Sequence, residues 1–577
     1  MAISSRIYLG VFDGHNASAA VFADGSVQSV VQEERFTRVK NFFGPPDKAV
    51  EIALQLAGVT ASQVDQVCFA SQYLSEPRDP GYMKRNFDDR YDNSLLRKTQ
   101  QKIFSLESYR KRRLRERMQQ RRQLVAQWGI DPRQAVFHDH HTTHAATAYY
   151  GLKRDSDPYL VVTLDGGGDG LSGSVWTARD DVLKPIAHID QADSLGELYA
   201  VTTHLLGFVP LEHEYKLMGM APYASPDYAE PIARIYANYL SLDSKKSLQF
   251  SRTIPEPTSM VGPRLQRDLE QMRFDNICAG LQLFTERLLA KWVAACVEAT
   301  GINRVLAAGG VFMNVKANQV VSELNNVSFF EAFPSSGDES LSIGACYLSA
   351  VEGGESPGPI RHCYLGNALS AAECENAVRK LGSDLEVEKP LNMPRRAAEL
   401  LAVGEIVARA SGPMEFGARA LGNRSIIADP SNQDVVRIIN QMIKKRDFWM
   451  PFAPVVLRSH AEKYFSNPKG LNSAYMMNTF DSTERRAEFM AAVHNADLTA
   501  RPQLLEEGQN PEYEAILYHF GELTDRHVLL NTSFNLHGYP IVCSAVDAME
   551  VFLKSGLKWL ILGSLLVSKK LPGNETR

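Results

Sequence analysis

The stretch HDHHTTHAATAYYGLKRDSDPYLVVTLDGGGDG, residues 138–170, joins a histidine-rich helix start to an apolar strand and a glycine turn. On a helix, His140 and His144 lie four residues apart and project from one face, as two ligands of one metal ion do. The strand Tyr159–Leu164 ends at Asp165, whose carboxylate supplies an oxygen ligand. We therefore predict a metal site where this helix meets the end of this strand.

The glycines after Asp165 add phosphate chemistry to the same place. Gly166, Gly167 and Gly168 carry no Cβ, so backbone N–H groups there can come close to a phosphate. The alternative interpretation is a polar helix start with one hydrogen-bonded core histidine, because an isolated HxxxH pair is more often structural than metal-binding. Four histidines are open to it: His138, His140, His141 and His144.

Composition bounds the class of protein. The chain has 577 residues, 44% hydrophobic and 22% charged, which is typical of a globular protein with several domains. Its net charge of −5 gives no overall basic field, so no nucleic-acid partner is expected. The seven cysteines show no CxxC spacing, which favours a reducing compartment over a disulfide scaffold.

Two observations predict a cytoplasmic protein with no membrane segment. The first ten residues, MAISSRIYLG, lack the basic and apolar regions of a signal peptide. The most apolar late run, Leu560–Val567, is far shorter than the roughly 20 residues that span a bilayer. We predict a single buried strand over that run.

Two segments share a pattern that indicates an internal duplication. The strand Ile7–Phe12 ends in Asp13-Gly14, and Asp24-Gly25 predicts a hairpin before the third strand. Residues 159–189 repeat this plan, again beginning with a strand that ends in Asp-Gly. Such a duplication resembles the actin/Hsp70-like (ASKHA) fold, an α/β class that holds a nucleotide between its halves. The alternative is coincidence between two ordinary α/β starts.

Later strand ends carry further polar groups. The strand Arg304–Ala308 leads into Gly309 and Gly310, which permit close approach of a nucleoside, and Asn314 offers both donors and acceptors. Asp338 precedes a predicted helix, where it serves as an N-cap or as another carboxylate at the strand ends. Parallel strands direct such groups into one crevice.

Three other segments are less specific. Residues 81–130 contain the basic run Tyr109–Arg122, which either steers an anion or, as we favour, forms a solvated or subunit-contacting insertion helix. Lys216 either reaches a phosphate or ends a solvated helix. Residues 352–361 contain three glycines and two prolines, which predicts a domain boundary.

The C-terminal region has two cationic loops beside a polar strand end. Arg419 and Arg424 lie in a glycine-punctuated loop, and guanidinium groups bind phosphate or carboxylate oxygens in a bidentate fork. Residues 444–446 and Arg501 add positive charge, and residues 531–535 end a strand in amide and hydroxyl groups. Together they predict a second anion site.

In this order the motifs are highly specific, and the chain resembles the O-carbamoyltransferases that modify antibiotics and nodulation factors. The resemblance implies an ASKHA-type transferase domain over residues 1–355, similar to that of tRNA threonylcarbamoyl transferase. It implies a YrdC-like α/β domain over residues 360–577. The landmarks that carry it are Asp13–Ser18, Glu33–Arg38, His140–Tyr150, Asp165–Gly167, Lys216–Gly219, Gly309–Asn314, Gly417–Ser425, Lys444–Arg446, Pro451–Pro454 and Asn531–Asn535.

The resemblance also implies chemistry in two steps. The YrdC-like domain consumes ATP, with Mg²⁺, and carbamoyl phosphate to form carbamoyl-adenylate, and the first domain transfers the carbamoyl group to a hydroxyl of a small molecule. The implied ligands of a divalent metal, commonly iron, are His140, His144, Asp165 and Asp338, with His15 as the base. The implied nucleotide contacts of the first domain are Asp13, Gly14, Gly166, Gly167, Lys216, Gly309, Gly310 and Asn314. Those of the second are Arg419, Arg424, Arg501, Asn531, Ser533 and Asn535, with Lys444 and Arg446 as catalytic groups.

The chain departs from the family in two places. His15-Asn16-Ala17-Ser18 stands where the family more often has His-Asp-Ala-Ser, and residues 81–130 match no part of it. Two other functions remain open. Threonylcarbamoyl transfer to tRNA is opposed by the net charge and the domain order, and a non-catalytic ATP-binding ASKHA protein leaves the C-terminal motifs unexplained. A homodimer is compatible with all three.

Overall fold

A computed structural model describes residues 6–72, 82–90, 107–382 and 384–570. The described residues form two compact units. The first unit comprises those of 1–33 and 41–361, and the second comprises those of 34–40 and 362–577. Part of the predicted insertion, residues 91–106, lies outside the described residues. Among the described residues, no helix is long and apolar enough to cross a membrane.

Two five-stranded sheets of the same topology form the first unit. In each, an antiparallel meander of three strands is followed by two strands parallel to the first one, giving the orders β3-β2-β1-β4-β5 and β8-β7-β6-β11-β12. The strands are β1 (Tyr8–Phe12), β2 (Ser18–Ala23), β3 (Ser26–Gln32), β4 (Gln66–Ala70), β5 (Ala135–His138), β6 (Tyr159–Gly168), β7 (Leu171–Arg179), β8 (Val182–Asp190), β11 (Arg304–Ala308) and β12 (Phe329–Ala332). The predicted duplication and the ASKHA-type fold class are confirmed.

Local chemistry explains the first meander. Asp24 and Gly25 both have positive φ, 51° and 72°, as a two-residue I′ hairpin turn requires. Strand β1 is buried along its whole length because helices cover the sheet. Gly10 lets the helix Leu341–Glu352 approach closely, since a Cβ there would lie 1.9 Å from the Ser342 carbonyl oxygen.

Helices and one small hairpin complete the first unit. The hairpin pairs β9 (Leu240–Leu242) with β10 (Phe250–Arg252). The α-helices are Asp47–Leu56, Tyr82–Asp89, Glu107–Gln127, His140–Leu152, Leu195–Leu205, Glu214–Met220, Pro226–Ala237, Gly262–Asp268, Phe274–Thr300, Val315–Glu323 and Leu341–Glu352.

The second unit is built on an eight-stranded mixed sheet of order β13-β22-β21-β14-β15-β20-β16-β19. Its strands are β13 (Leu385–Glu388), β14 (Val407–Ala410), β15 (Arg424–Ala428), β16 (Ala453–Leu457), β19 (Gln503–Leu505), β20 (Val528–Ser533), β21 (Trp559–Leu562) and β22 (Leu565–Lys569), with β17 (Phe480–Asp481) and β18 (Thr499–Ala500) in a separate pair. Its α-helices are Glu34–Thr37, Ala371–Leu381, Met393–Ala402, Asp434–Ile439, Ala461–Tyr464, Pro511–Thr524 and Ala545–Lys554.

One strand prediction in this unit is wrong. The run Leu560–Val567 is not a single strand but two antiparallel strands that meet at a tight turn. Gly563 makes the turn possible because its φ of 58° is one that residues with a Cβ rarely adopt. Both arms are buried, so the apolar pattern gave no sign of the reversal.

Candidate functional site

Four ligand-type side chains converge in the first unit. His140 and His144 belong to the helix that follows β5, and Asp165 belongs to the polar end of β6. Asp338 begins a short 3₁₀ turn just before the helix Leu341–Glu352. The carboxylate of Asp139 caps the histidine helix by accepting a hydrogen bond from Thr142 N, which fixes where that helix starts.

One atom from each of these four residues lies within 4.8 Å of the others. Asp165 Oδ2 lies 2.6 Å from His140 Nε2 and 3.3 Å from His144 Nε2. Asp338 Oδ1 lies 3.7 Å and 3.4 Å from the same two nitrogens. These separations suit ligands that surround one ion at bond lengths of about 2.0–2.2 Å.

Unsatisfied polar atoms support that interpretation. Neither ring nitrogen of the fully buried His144 has a hydrogen-bond partner among the described residues. Burial alone would lower the pKa of His140, but Asp165 and Asp338 raise that pKa to about 10. The imidazoles of His141 and His140 hold the pKa of Asp165 well below its usual range despite burial. Two imidazoles and two carboxylates fit iron, manganese, zinc or cobalt.

His15 borders this cluster. Its Nδ1 lies 3.3 Å from Asp338 Oδ2, the carboxylate oxygen that does not face the two histidines. The His15 side chain is 28% exposed, so it is the imidazole here that a substrate can reach. His144, by contrast, is fully buried.

Asp13 is held by the basic helix Glu107–Gln127. Arg121 donates to both carboxylate oxygens, at 3.0 and 2.6 Å, and Arg117 donates to one at 2.5 Å. Arg121 and Asp13 are fully buried, and Arg117 is nearly so. The favoured interpretation of this helix as solvated or subunit-contacting is therefore wrong for that face. Arg117, Arg121 and Val125 form a buried stripe at spacing four.

The same helix connects through hydrogen bonds to the metal-type cluster, which is the group of His140, His144, Asp165 and Asp338. Arg121 donates to the Ser71 carbonyl, and the Ser71 hydroxyl donates to Asp169 Oδ1 at 3.0 Å. Asp169 Oδ2 accepts from the backbone N–H of His140 at 2.9 Å. Sequence reasoning missed Arg121 and Asp169. The i, i+4 arginine spacing was the available signal for the first, and none existed for the second.

The predicted nucleotide contacts of this unit differ in whether there is open space beside them for a ligand. A Cβ at Gly166 or Gly310 would meet no atom within 4 Å, whereas one at Gly309 would lie 2.3 Å from the Leu164 carbonyl oxygen. Gly309, with φ of 103°, therefore serves close packing. Asn314 is engaged as a helix cap and in a reciprocal amide pair with Gln282.

Three further predicted contacts lie in the same unit. Gly14 accepts a hydrogen bond from Gly44 N through its carbonyl, and Gly167 has a φ of 144°. Lys216 is buried, with its ammonium 5.3 Å from the centre of the Phe208 ring.

The second unit gathers cations at the end of β20. The Lys444 ammonium donates to the carbonyl and hydroxyl of Ser533 and to the Asn535 side-chain oxygen at 2.7 Å. Arg446 donates to Thr532 Oγ1 at 3.2 Å and lies 5.1 Å from the centre of the Phe452 ring. Burial, Arg446 and Lys40 hold the pKa of Lys444 well below its usual range.

Arg501 and Arg419 belong to the same cationic cluster. Burial lowers the pKa of Arg501 well below its usual range, and the neighbouring Arg419 and Arg446 lower it further. Lys40, which sequence reasoning missed, comes from the segment 34–40 that folds with this unit. Arg35 anchors that segment by donating to the Gly417 carbonyl at 2.6 Å.

Arg424 and Asn531 are occupied by the protein itself. The fully buried Arg424 guanidinium donates to the carbonyls of residues 367, 411, 412 and 423. Asn531 donates to the Ala420 carbonyl and to Gln503. The carboxylate of Glu415 accepts three backbone N–H groups of the loop, from residues 421, 423 and 424. These contacts favour a role in shaping the loop over direct contact with a ligand.

Comparison with known proteins decides the family. The family described as "Carbamoyltransferase N-terminus" matches residues 7–347, and "Carbamoyltransferase C-terminus" matches residues 398–569. The chain belongs to the carbamoyltransferase family. The two matches fall on opposite sides of the glycine- and proline-rich segment 352–361.

Three relatives of this carbamoyltransferase are 30–32% identical to it. The nodulation protein NolNO of Sinorhizobium fredii is 31% identical, over 97% of this chain and 80% of its own length. The nodulation protein NolO of Bradyrhizobium diazoefficiens is 32% identical, over 75% and 79%. An uncharacterized protein of Methanocaldococcus jannaschii is 30% identical, over 97% and 99%.

Proposed function

We propose that this carbamoyltransferase forms carbamoyl-adenylate from ATP and carbamoyl phosphate in its C-terminal unit and transfers the carbamoyl group to a hydroxyl in its N-terminal unit. The observation that carries the proposal is a pair of clusters of opposite character. The C-terminal unit gathers Lys444, Arg446 and Arg501, which suit phosphate groups. The N-terminal unit gathers four metal-type ligands beside His15.

The first step needs stabilisation of negative charge. Water hydrolyses carbamoyl phosphate to carbamate and inorganic phosphate, a carbamate oxygen then attacks the α-phosphorus of ATP, and pyrophosphate leaves. Lys444 and Arg446 hold the phosphate oxygens of the reactants, and Arg419 and Arg501 add positive charge. Ser533 and Asn535 orient the Lys444 ammonium through its hydrogen bonds. Mg²⁺ accompanies ATP, as nucleotide phosphates generally require.

The second step needs a nucleophilic oxygen. His15 accepts the proton of the acceptor hydroxyl, whose oxygen attacks the carbamoyl carbon, and AMP leaves. Asp338 orients His15 through the 3.3 Å contact to Nδ1. His140, His144, Asp165 and Asp338 would hold a divalent metal, which would supply positive charge beside the phosphate of the leaving AMP.

The nucleotide of the second step has its own contacts. Backbone groups at Gly14, Gly166, Gly167 and Gly310 approach its phosphate, and Lys216 adds charge. Asp13, Gly309 and Asn314 act indirectly, because their polar groups or backbone already pack against the protein. The acceptor is a hydroxyl-bearing small molecule, in the cytoplasm, and the chain functions as a monomer or homodimer.

A pyrophosphate assay tests this function. Purified protein is given ATP, Mg²⁺ and Fe²⁺, with or without carbamoyl phosphate, and acceptor candidates are then examined for a carbamoyl increment by mass spectrometry. We expect pyrophosphate release only with carbamoyl phosphate. Bicarbonate and threonine should not replace carbamoyl phosphate. Pyrophosphate release that needs threonine and bicarbonate would instead indicate threonylcarbamoyl chemistry.

A further inference from the structure

Four buried polar side chains form a hydrogen-bonded series, here named the file, that leads from Trp176 to the four candidate metal ligands. Thr163 lies on β6, Ser174 and Trp176 lie on β7, and His141 lies on the helix that carries His140 and His144. His141 and Thr163 are fully buried, and Ser174 and Trp176 are nearly so. None of these residues is assigned a role in the proposed reaction.

The contacts along this file are close. Trp176 Nε1 donates to Ser174 Oγ at 2.7 Å, and Ser174 Oγ lies 2.6 Å from Thr163 Oγ1. Thr163 Oγ1 lies 2.9 Å from His141 Nδ1. The other ring nitrogen, His141 Nε2, lies 3.3 Å from Asp165 Oδ1. The file therefore ends on a predicted metal ligand.

The donor at its start fixes the direction of the file. An indole N–H only donates, so Ser174 Oγ accepts there and its own hydrogen is free for Thr163 Oγ1. The Thr163 hydrogen is then free for His141 Nδ1. In the opposite direction, the Ser174 hydrogen would find no acceptor among the described residues, and a neutral His141 would turn the Nε2 lone pair toward the Asp165 carboxylate. The first direction therefore places the hydrogen of His141 on Nε2.

At the Asp165 end of the file, a hydrogen on His141 Nε2 would serve two buried polar atoms. Neither His141 Nε2 nor Asp165 Oδ1 has another hydrogen-bond partner among the described residues, and both atoms are buried. The second oxygen of this carboxylate, Oδ2, faces His140 and His144. A hydrogen on His141 Nε2 thus satisfies the oxygen that faces away from those two histidines.

We propose that His141 is a positioning residue that donates from Nε2 to Asp165 Oδ1 and thereby presents Oδ2 to a divalent metal, with its tautomer set by the hydrogen-bonded file from Trp176. The inference rests on the metal site of the proposed function. Groups that orient metal ligands in this way typically change metal affinity by about 10–100-fold.

Metal affinity of matched variants tests the positioning role. Co²⁺ is titrated into the chelator-stripped full-length protein in competition with a coloured chelator. We expect His141→Asn, which lacks a donor at the ε position, to weaken Co²⁺ binding by about 10–100-fold. His141→Gln, which keeps an N–H there, should stay within about threefold of the unchanged protein. His138→Gln is the control, because His138 is buried and hydrogen-bonded to Ser349, which is not one of the four ligands.

A double-variant cycle tests whether Thr163 acts on the metal site through His141. Thr163→Val should weaken Co²⁺ binding severalfold in the unchanged protein and have little effect in the His141→Asn background, because its influence passes through His141. Equal effects in both backgrounds would overturn the proposal, as would wild-type affinity in both His141 variants. Equal losses in His141→Asn and His141→Gln would also overturn it. A parent protein that binds no Co²⁺ would instead overturn the metal site of the proposed function.

Discussion

The two clusters of charged side chains differ in how their charges balance. In the N-terminal unit, imidazoles and carboxylates alternate. The carboxylates raise the pKa of His140 and the imidazoles lower the pKa of Asp165, so each favours the charged form of the other. In the C-terminal unit, burial and then neighbouring cations lower the pKa of Lys444 and of Arg501, so both causes oppose the charged form. The first arrangement matches a small cation among mixed ligands, and the second matches a polyanion that relieves the repulsion.

This difference assigns separate chemistry to the two units. Helix caps and hydrogen bonds fix metal ligands at the ends of secondary-structure elements. Asp139 caps the helix that begins at His140, and Asp169 accepts a hydrogen bond from the His140 backbone N–H. The cationic cluster is held instead by carbonyl and amide oxygens, such as those that receive the Lys444 ammonium. A substitution in one cluster should therefore stop one step and leave the other measurable.

Removing the Lys444 ammonium should have the largest effect. We expect Lys444→Met to lower carbamoyl-phosphate-dependent pyrophosphate release about 1,000-fold, because a buried ammonium that binds phosphate is lost from a water-poor site. Bound metal should remain at the wild-type ratio. The control is Lys445→Met, since the neighbouring lysine is exposed. Pyrophosphate release at the wild-type rate would contradict the C-terminal assignment.

Removing a carboxylate from the other cluster should separate the two steps. We expect Asp338→Asn to reduce carbamoyl transfer by about 100–1,000-fold, because a metal ligand and the partner of His15 are weakened together. Pyrophosphate release should continue, with carbamoyl-adenylate accumulating or hydrolysing. Asp139→Asn is the control, since asparagine caps a helix as well as aspartate does. Loss of both steps would show that the clusters do not act separately.

Much of the fold could be predicted from local patterns. The Asp24-Gly25 turn and the repeated strand that ends in Asp-Gly depend on neighbouring residues alone, and they indicated the duplicated sheets. The spacing of His140 and His144 likewise indicated a shared helix face, which the structure brings next to Asp165. Asp338 came from the family resemblance, since a residue before a helix is usually only a cap.

What could not be predicted depends on contacts distant in sequence. The spacing of Arg117 and Arg121 shows that they share a face, but not that the face meets Asp13, more than 100 residues away. Arg35 joins the second unit because its guanidinium reaches the Gly417 carbonyl, 382 positions later. Such pairings depend on the whole fold and have no local signature.

Breaking the buried pair at Asp13 should mainly affect stability. We expect Arg121→Met to lower the free energy of unfolding by about 3–5 kcal/mol, because it leaves a buried carboxylate with one guanidinium instead of two. Urea denaturation measures the change. Arg115→Met, on the exposed side of the same helix, should be nearly neutral. An equal loss in both variants would mean that the helix, and not the ion pair, is responsible.

The smallest effect should come from a small displacement of one metal ligand, the His140 imidazole. A Cβ at Gly168 would lie 2.2 Å from the His140 ring, so the imidazole must shift from its place beside Asp165 and His144. We expect Gly168→Ala to weaken Co²⁺ binding by about tenfold while pyrophosphate release stays unchanged. Gly358→Ala is the matched control, because its Cβ would meet only a backbone oxygen at 3.5 Å. Unchanged metal affinity in Gly168→Ala would mean that His140 does not bind the metal in the orientation described, and the N-terminal cluster would then lose one of its four ligands.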